Sequence, residues 1–306
     1  MTTTTKGYPL SQSPFFKLST RKRLASILCV STEELKQLSK SSRKMYSVWT
    51  ETNAKGKERL IENPSKPLKR VQRRVAKLLG AITPPPYLYC PVKKRCYISN
   101  AARHIGSRQI RNLDISNFYP SAKSSRVYWF FNKVMMCAPD VAATLTTLTT
   151  RNGHFPCGSP ASGLLGFYAY LDMWTEIGKI AADGGCKLSV YADDITLSGN
   201  TVPDSVMHKV RQCIIKHGLT PKKDKERFYR KGVGVVTGII VRSNGLSTPS
   251  EAHLKRYKLR QEILITTDPI QKEKLRRSLR GMDGRETLIA RWNRELSANP
   301  MLAGQN

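Results

Sequence analysis

Lys187-Leu188-Ser189-Val190-Tyr191-Ala192-Asp193-Asp194-Ile195-Thr196-Leu197-Ser198 is the stretch whose reading decides the fold. Leu188 and Val190 point one way and Ser189 and Tyr191 the other, the alternation of a strand, and the pattern resumes after the aspartates. Two short β segments therefore flank an acidic tip, which predicts a hairpin. Asp is a common turn residue, and an isolated Asp-Asp pair is ordinarily solvated. Here the flanking strands are apolar, so a rigid sheet carries both carboxylates, and their repulsion is costly unless a cation lies between them. Upstream, Ile110 to Ile115 alternates as a second strand with Asp114 near its end. Placed beside the hairpin, Asp114 would bring a third carboxylate within reach of two Mg²⁺ ions about 4 Å apart, as nucleotidyl transfer requires. Asp114 as a distant strand-end cap is the alternative at this level.

Composition agrees with a polyanionic partner. The chain has 306 residues, with 52 Lys+Arg against 22 Asp+Glu and a formal charge of +30, an excess that nucleic acid would neutralise. Charge alone does not separate an enzyme from an electrostatic binder. Seven cysteines, none in C-x-x-C spacing, read as reduced core thiols rather than a zinc clamp or redox pair. No apolar run reaches the roughly 18 residues that span a bilayer, and no signal peptide opens the chain, so a cytoplasmic location with no membrane partner is expected. Residues 1–30 are expected to be a mobile tail, since Pro9 and Pro14 interrupt any long helix there.

Ser31-Thr32-Glu33-Glu34 has the spacing of a helix-start capping box. Tyr46 to Ile61 reads as a hairpin turning at Asn53-Ala54-Lys55-Gly56, and Pro64 to Leu79 as a helix with Leu68, Val71, Val75, Leu78 and Leu79 on one stripe and cations elsewhere. Thr83-Pro84-Pro85-Pro86 suggests a boundary. Val202 to His217 is helical in pattern, Gly234 to Val241 is β-rich, and the chain after Ser250 returns to helices rich in Lys and Arg.

On ordered blocks the chain resembles the retron-type reverse transcriptases of bacteria over nearly its whole length. Asn112-Leu113-Asp114-Ile115-Ser116-Asn117-Phe118-Tyr119-Pro120-Ser121 is similar to the family's first catalytic block, and Tyr191-Ala192-Asp193-Asp194 is its YADD signature. Asn100-Ala101-Ala102-Arg103-His104 resembles the NAxxH element and Val236-Thr237-Gly238 the VTG element. The resemblance implies an α+β right-hand polymerase: a tail over 1–30, an N-terminal helical region and fingers over 31–85, a palm with remaining fingers elements over 86–245, and a helical thumb over 246–306. It implies catalysis by Asp114, Asp193 and Asp194, with two Mg²⁺ held by these three and the backbone carbonyl of Ile115. Nucleotide contacts would come from Lys55, Arg59, Tyr119, Gly158 and Lys225, Tyr119 excluding a ribose 2′-hydroxyl by its bulk. RNA contacts would come from Asn100, His104, Val236, Thr237, Gly238, Arg276, Arg277 and Arg280, with local structure as the other role for His104.

The activity so implied is RNA-templated DNA synthesis from dNTPs on a dedicated structured noncoding RNA. Priming from an RNA 2′-hydroxyl would yield a branched RNA-DNA hybrid, msDNA, in a phage-defence system. With no appended nuclease expected, a separate effector protein and host RNase H would complete it. Cys157 stands where such enzymes commonly have Gln, which removes an amide contact. The rival expectations are another bacterial reverse transcriptase, such as an intron-related enzyme, and a catalytically silent RNA-binding protein on a polymerase scaffold.

Overall fold

The computed structural model describes residues 7–52, 56 and 58–298. Helices α1 (Arg21–Leu28) and α2 (Thr32–Ser41) start at side-chain caps: Thr20 Oγ1 accepts from the Arg23 amide at 3.2 Å and Ser31 Oγ from the Glu34 amide at 3.0 Å. The expectation of a mobile tail fails over residues 7–30. Phe15, Leu18, Leu24 and Leu28 are buried in the main core, and Tyr8 pairs with the chain near Ile82. Their apolar side chains, spaced through a cationic stretch, supply enough burial to order the segment.

Strands β1 (Tyr46–Thr52) and β2 (Glu58–Pro64) form the expected antiparallel hairpin, with Tyr46 opposite Pro64 and Thr52 opposite Glu58. The end near Thr52 and Glu58 is exposed, whereas Glu62 and Pro64 are buried. The hairpin is thus rooted at one end and free at the other. Helix α3 (Lys66–Leu79) follows, burying Leu68, Val71, Val75 and Leu79 together with Gln72, while Arg70, Arg73 and Lys77 face solvent. The main hydrophobic core crosses Thr83–Pro86 without a break, since Leu79 and Leu88 both belong to it.

A five-stranded sheet lies at the centre. It contains β3 (Leu88–Cys90), β4 (Gln109–Asp114), β5 (Lys187–Tyr191), β6 (Asp194–Gly199) and β7 (Arg227–Tyr229), in the order β3-β5-β6-β4-β7. Only the β3-β5 pairing is parallel. A short helix α4 (Tyr97–Ala102) leads into β4, and α5 (Phe118–Ser121), α6 (Ser124–Trp129), α7 (Pro139–Thr149) and α8 (Ser162–Tyr168) lie between β4 and β5. Helices α9 (Leu171–Asp183) and α10 (Asp204–Lys216) share the main core with the apolar side of the sheet, Leu188, Val190, Ile195 and Leu197. The other side, Ser189, Thr196 and Ser198, is buried too, which a hydroxyl-lined face tolerates only when its groups are bonded.

The run from Gly234 to Val241 is not one strand. It folds as β8 (Gly234–Val236) and β9 (Ile239–Arg242), joined by Thr237 and Gly238 at φ +46° and +77°. Two successive left-handed residues make the primed turn that matches strand twist, and glycine supplies the second without strain. With β10 (Gly245–Ser247) these strands form a second sheet. A second core joins it to α4 and to the end of a long helix: Ile98 and Ala101 meet Val236, Ile239, Leu246, Ile289 and Leu296. That helix, α12 (Pro269–Ala298), forms a hairpin with α11 (Ser250–Ile265), where Arg256 Nε meets Asp283 Oδ1 at 2.6 Å. Asn293 locks the joint through Oδ1 and Nδ2, each 2.9 Å from the backbone of Leu246. Among the described residues no helix is long and apolar enough to cross a membrane.

Candidate active site

Antiparallel register decides whether the three aspartates meet. β4 pairs with β6 so that Asp114 lies directly opposite Asp194, and Tyr191 opposite Asp194 leaves Ala192 and Asp193 as a two-residue turn. The Ile115 amide reaches the Asp193 carbonyl at 3.4 Å, which ties the strand end to the hairpin tip. Asp114 is therefore part of the acidic cluster and not a distant cap. Burial, followed by the negative charges of Asp114 and Asp194, raises the Asp193 carboxyl to about 6. Asp194 is exposed by surface area but also raised, first by the protein packed around it and then by Asp114, with Lys225 opposing. Lys225 Nζ donates to Asp114 Oδ2 at 2.5 Å. Its ammonium is a cation held at the edge of the carboxylate trio.

The expected nucleotide residues divide. Burial pushes the Tyr119 hydroxyl upward, with Asp193, Cys90 and Cys157 adding to the shift and the Arg59 guanidinium opposing it. One tyrosine thus senses the acidic tip, the free-standing hairpin and the 155–160 loop together. Its ring lies over Gly166, where a Cβ would come within 3.4 Å of it and 3.0 Å of Phe118. Gly158 serves a different need: at φ +138°, a Cβ there would stand 2.8 Å from the Glu62 carbonyl. It permits the loop to lie against β2, where the Glu62 amide donates to Cys157 O at 2.8 Å. Lys55 lies outside the described residues.

Sequence reasoning missed the support beneath this site. Glu62 is buried, paired to Arg151 through Oε1 and to His154 Nε2 through Oε2 at 2.8 Å. Next to it, Gln72 Nε2 donates to Tyr46 Oη and to the Leu148 carbonyl, both at 2.9 Å, while Ser159 Oγ donates to Gln72 Oε1 at 2.7 Å. These polar side chains root the β1-β2 hairpin against α7 and the 151–159 loop. The one visible sign was Gln72, a polar residue on the apolar stripe of α3. Cys90 was also missed; its thiol is raised by burial and by the nearby Asp193.

Four of the expected RNA contacts need correction or reassignment. His104 is wholly buried, its Nδ1 2.7 Å from Ser198 Oγ and its Nε2 2.7 Å from Ser189 Oγ. Asn100 is buried with Nδ2 3.4 Å from Thr237 Oγ1, and Val236 is fully buried in the second core. None of these three presents a surface to RNA. Thr237 donates to the Tyr97 carbonyl at 2.8 Å, so its hydroxyl is committed inward, and only Gly238 of that element is exposed. The NAxxH and VTG elements meet each other: they form the joint between the central sheet, the second sheet and α12. Arg276, Arg277 and Arg280 are exposed on α12, Arg280 pairing with Glu273 at 2.7 Å.

His104 leads to a stability prediction. Burial, then the charges of Arg103 and Lys187, lowers it from 6.5 to about 3. A folded-state value below the unfolded one means that the unfolded chain binds the proton, so the stabilisation is complete above pH 6.5 and is lost as pH falls. The loss is about 1.4 kcal/mol for each pH unit below 6.5 until about 3. Denaturant unfolding at pH 7 and pH 5 should show this drop in the parent and not in His104→Gln. Equal pH slopes in the two proteins would refute it.

No family model matches the chain. The retron Se72 reverse transcriptase of Salmonella heidelberg is 34% identical over 202 residues, covering 64% of this chain and 52% of that protein. The retron Mx65 reverse transcriptase of Myxococcus xanthus is 29% identical over 242 residues, covering 71% and 56%. The retron Ec86 reverse transcriptase of Escherichia coli is 28% identical over 218 residues, covering 68% of each. The chain spans a little over half the length of the first two. Among solved structures, a foamy viral protease-reverse transcriptase in complex with an RNA/DNA hybrid covers 78% of this chain and 27% of its own, at TM-score 0.42 and 16% identity.

Proposed function

We propose that this chain, a retron-type reverse transcriptase by its sequence kinship, is an RNA-directed DNA polymerase. The observation that carries the proposal is the β4-β6 register, which sets Asp114 opposite Asp194 with Asp193 at the adjoining tip. The donor set suits Mg²⁺: hard carboxylate oxygens converge, and a protein cation, Lys225, already answers part of their charge. Asp114, Asp193, Asp194 and the Ile115 carbonyl would hold two such ions. When bound, the metals supply Lewis-acid activation and charge neutralisation at the reacting phosphate.

The chain's own residues supply position. Arg59 on the exposed hairpin offers a guanidinium fork to triphosphate oxygens, a better match than an ammonium. Tyr119, within electrostatic reach of both Arg59 and Asp193, would border the sugar of the incoming nucleotide. Its ring would exclude a 2′-hydroxyl, so Tyr119→Ala should raise rNTP incorporation relative to dNTP by at least tenfold. An unchanged ratio in competitive single-nucleotide extension would remove that role.

The finer reading follows from kinship. The template is a dedicated structured noncoding RNA, the primer an internal RNA 2′-hydroxyl and the product branched msDNA. A separate effector protein and host RNase H would act with it in phage defence in the bacterial cytoplasm. Arg276, Arg277 and Arg280 on α12 present positive charge to an RNA backbone. The test has two parts. Purified protein with Mg²⁺ and dNTPs should extend a DNA primer on an RNA template, and sequencing of copurifying nucleic acid should return one abundant RNA joined to DNA. Failure of extension would overturn the polymerase; heterogeneous RNA without attached DNA would overturn the dedicated partner.

A further inference from the structure

Helices α9 and α10, behind the apolar side of the sheet, carry a second group of metal-ligating side chains that polymerisation does not use. Asp172 and Glu176 are one helical turn apart on α9, and Cys213 and His217 one turn apart at the end of α10. One ligand atom each from Glu176, Cys213 and His217 lies within 4.8 Å of the others. Cys213 Sγ stands 3.9 Å from His217 Nδ1. Tetrahedral zinc with a roughly 2.3 Å bond to sulfur and a roughly 2.05 Å bond to nitrogen sets these atoms about 3.6 Å apart, so this pair needs only a small closure, and the Glu176 oxygen, within 4.8 Å of both, swings in on its side chain.

We propose that Cys213 Sγ, His217 Nδ1 and a Glu176 oxygen bind one zinc-class divalent ion that staples α9 to α10. Thiolate, imidazole and carboxylate are the ligand types zinc takes, and a fourth position remains for water. Asp172 completes the design: its Oδ2 is 3.5 Å from His217 Nε2, on the far side of the ring from Cys213. Once Nδ1 binds metal, a carboxylate in that place faces the Nε2–H of the tautomer that metal binding requires.

Forming the site requires three exchanges. Without metal, His217 Nδ1 is 2.8 Å from the Cys213 carbonyl, and Lys216 Nζ holds Glu176 at 3.0 Å. As the metal–sulfur bond forms, the Cys213 thiol releases its proton to water. Nδ1 gives its proton to water while Nε2 takes one from water, so the imidazole stays neutral with its Nε2–H facing Asp172, and Lys216 leaves Glu176 for solvent still protonated. Lys216 is thus a built-in competitor, with 65% of its side chain exposed to solvent.

Cobalt(II) is the probe, titrated into the metal-free full chain with Mg²⁺ in excess so that the palm carboxylates are already occupied. The expected result is one equivalent giving a near-ultraviolet thiolate-to-cobalt band with visible bands of tetrahedral intensity. Cys213→Ser should abolish the ultraviolet band, and Cys90→Ser, which removes the thiol beside Asp193, should leave it intact. Glu176→Gln should weaken binding at least tenfold, and Lys216→Ala should tighten it about two- to fivefold, the scale of an exposed ion pair. Circular dichroism of the metal-free variants checks their folding, and if Cys213→Ser is misfolded the Glu176→Gln and Lys216→Ala pair decides. Absence of the band, its survival in folded Cys213→Ser, or affinities that move with neither Glu176 nor Lys216 would overturn the site.

Discussion

Asp193→Asn and Asp114→Asn should each abolish primer extension in Mg²⁺, with an expected loss of roughly a thousandfold or more. On the proposed assignment each would replace a metal-holding carboxylate by an amide that carries no charge, and metal stabilisation of a reacting phosphate is a matter of several kcal/mol, about 1.4 per factor of ten. The β4-β6 register puts both residues at one point, so the two variants should fail alike although 79 positions separate them, from 114 to 193. RNA binding should persist, because one charge among a formal +30 barely alters the phosphate contacts that dominate affinity. Filter binding beside single-turnover extension checks both halves. Extension near the parent rate by either variant would remove the aspartates from catalysis, and parallel loss of RNA binding would make the effect structural.

Glu62→Ala is the second large effect, and it falls on stability. The carboxylate is buried between Arg151 and His154, and truncating it strands a guanidinium that is itself four-fifths buried. Breaking a buried pair from one side costs about 3–5 kcal/mol because the remaining charge has no solvent to receive it. Cys157 O accepts from the Glu62 amide, so the strand should shift against the 155–160 loop as well. Chemical denaturation should show the midpoint falling with little change in slope. Glu62→Gln, which keeps the shape and one acceptor, should lose less. A change below 1 kcal/mol in Glu62→Ala would show that Arg151 finds other partners and that the network does not root the hairpin.

Some features needed no tertiary information. The alternation of Lys187 to Tyr191 and Ile195 to Ser198 encodes two strands, and Asp193 at their junction encodes an acidic tip. Such patterns are local, since a strand has period two wherever it lies. The cap at Ser31, the stripe of α3 and the hairpin from Tyr46 were legible for the same reason. Where the pattern was local but the context was not, the expectation stopped short or failed. Gly234 to Val241 is β as its composition suggested, but only the structure shows that Thr237 and Gly238 turn it back on itself as two strands. Residues 7–30 looked like a tail because Pro9 and Pro14 interrupt any long helix there, yet Phe15 and Leu18 find the core.

The site divides along the same line. Sequence by itself determined which residues are candidates for chemistry: the three aspartates, the tyrosine at 119, the guanidinium at 59 and the basic helices of the C-terminal region, because residue type is chemistry and the motif blocks stand in order. Only tertiary structure decided what each may touch. His104 and Ser189 are 85 positions apart in the chain, and Glu62 and His154 are 92 apart. No local pattern records such distances. Packing brought His104 under the sheet, where desolvation keeps it neutral and two serine hydroxyls hold it, turning an expected RNA contact into a pin between strands. Packing likewise turned Asp114 from a possible strand cap into the partner of Asp194, because register, the choice of which residue faces which across strands far apart in sequence, is settled by the burial of whole faces and not by any one motif.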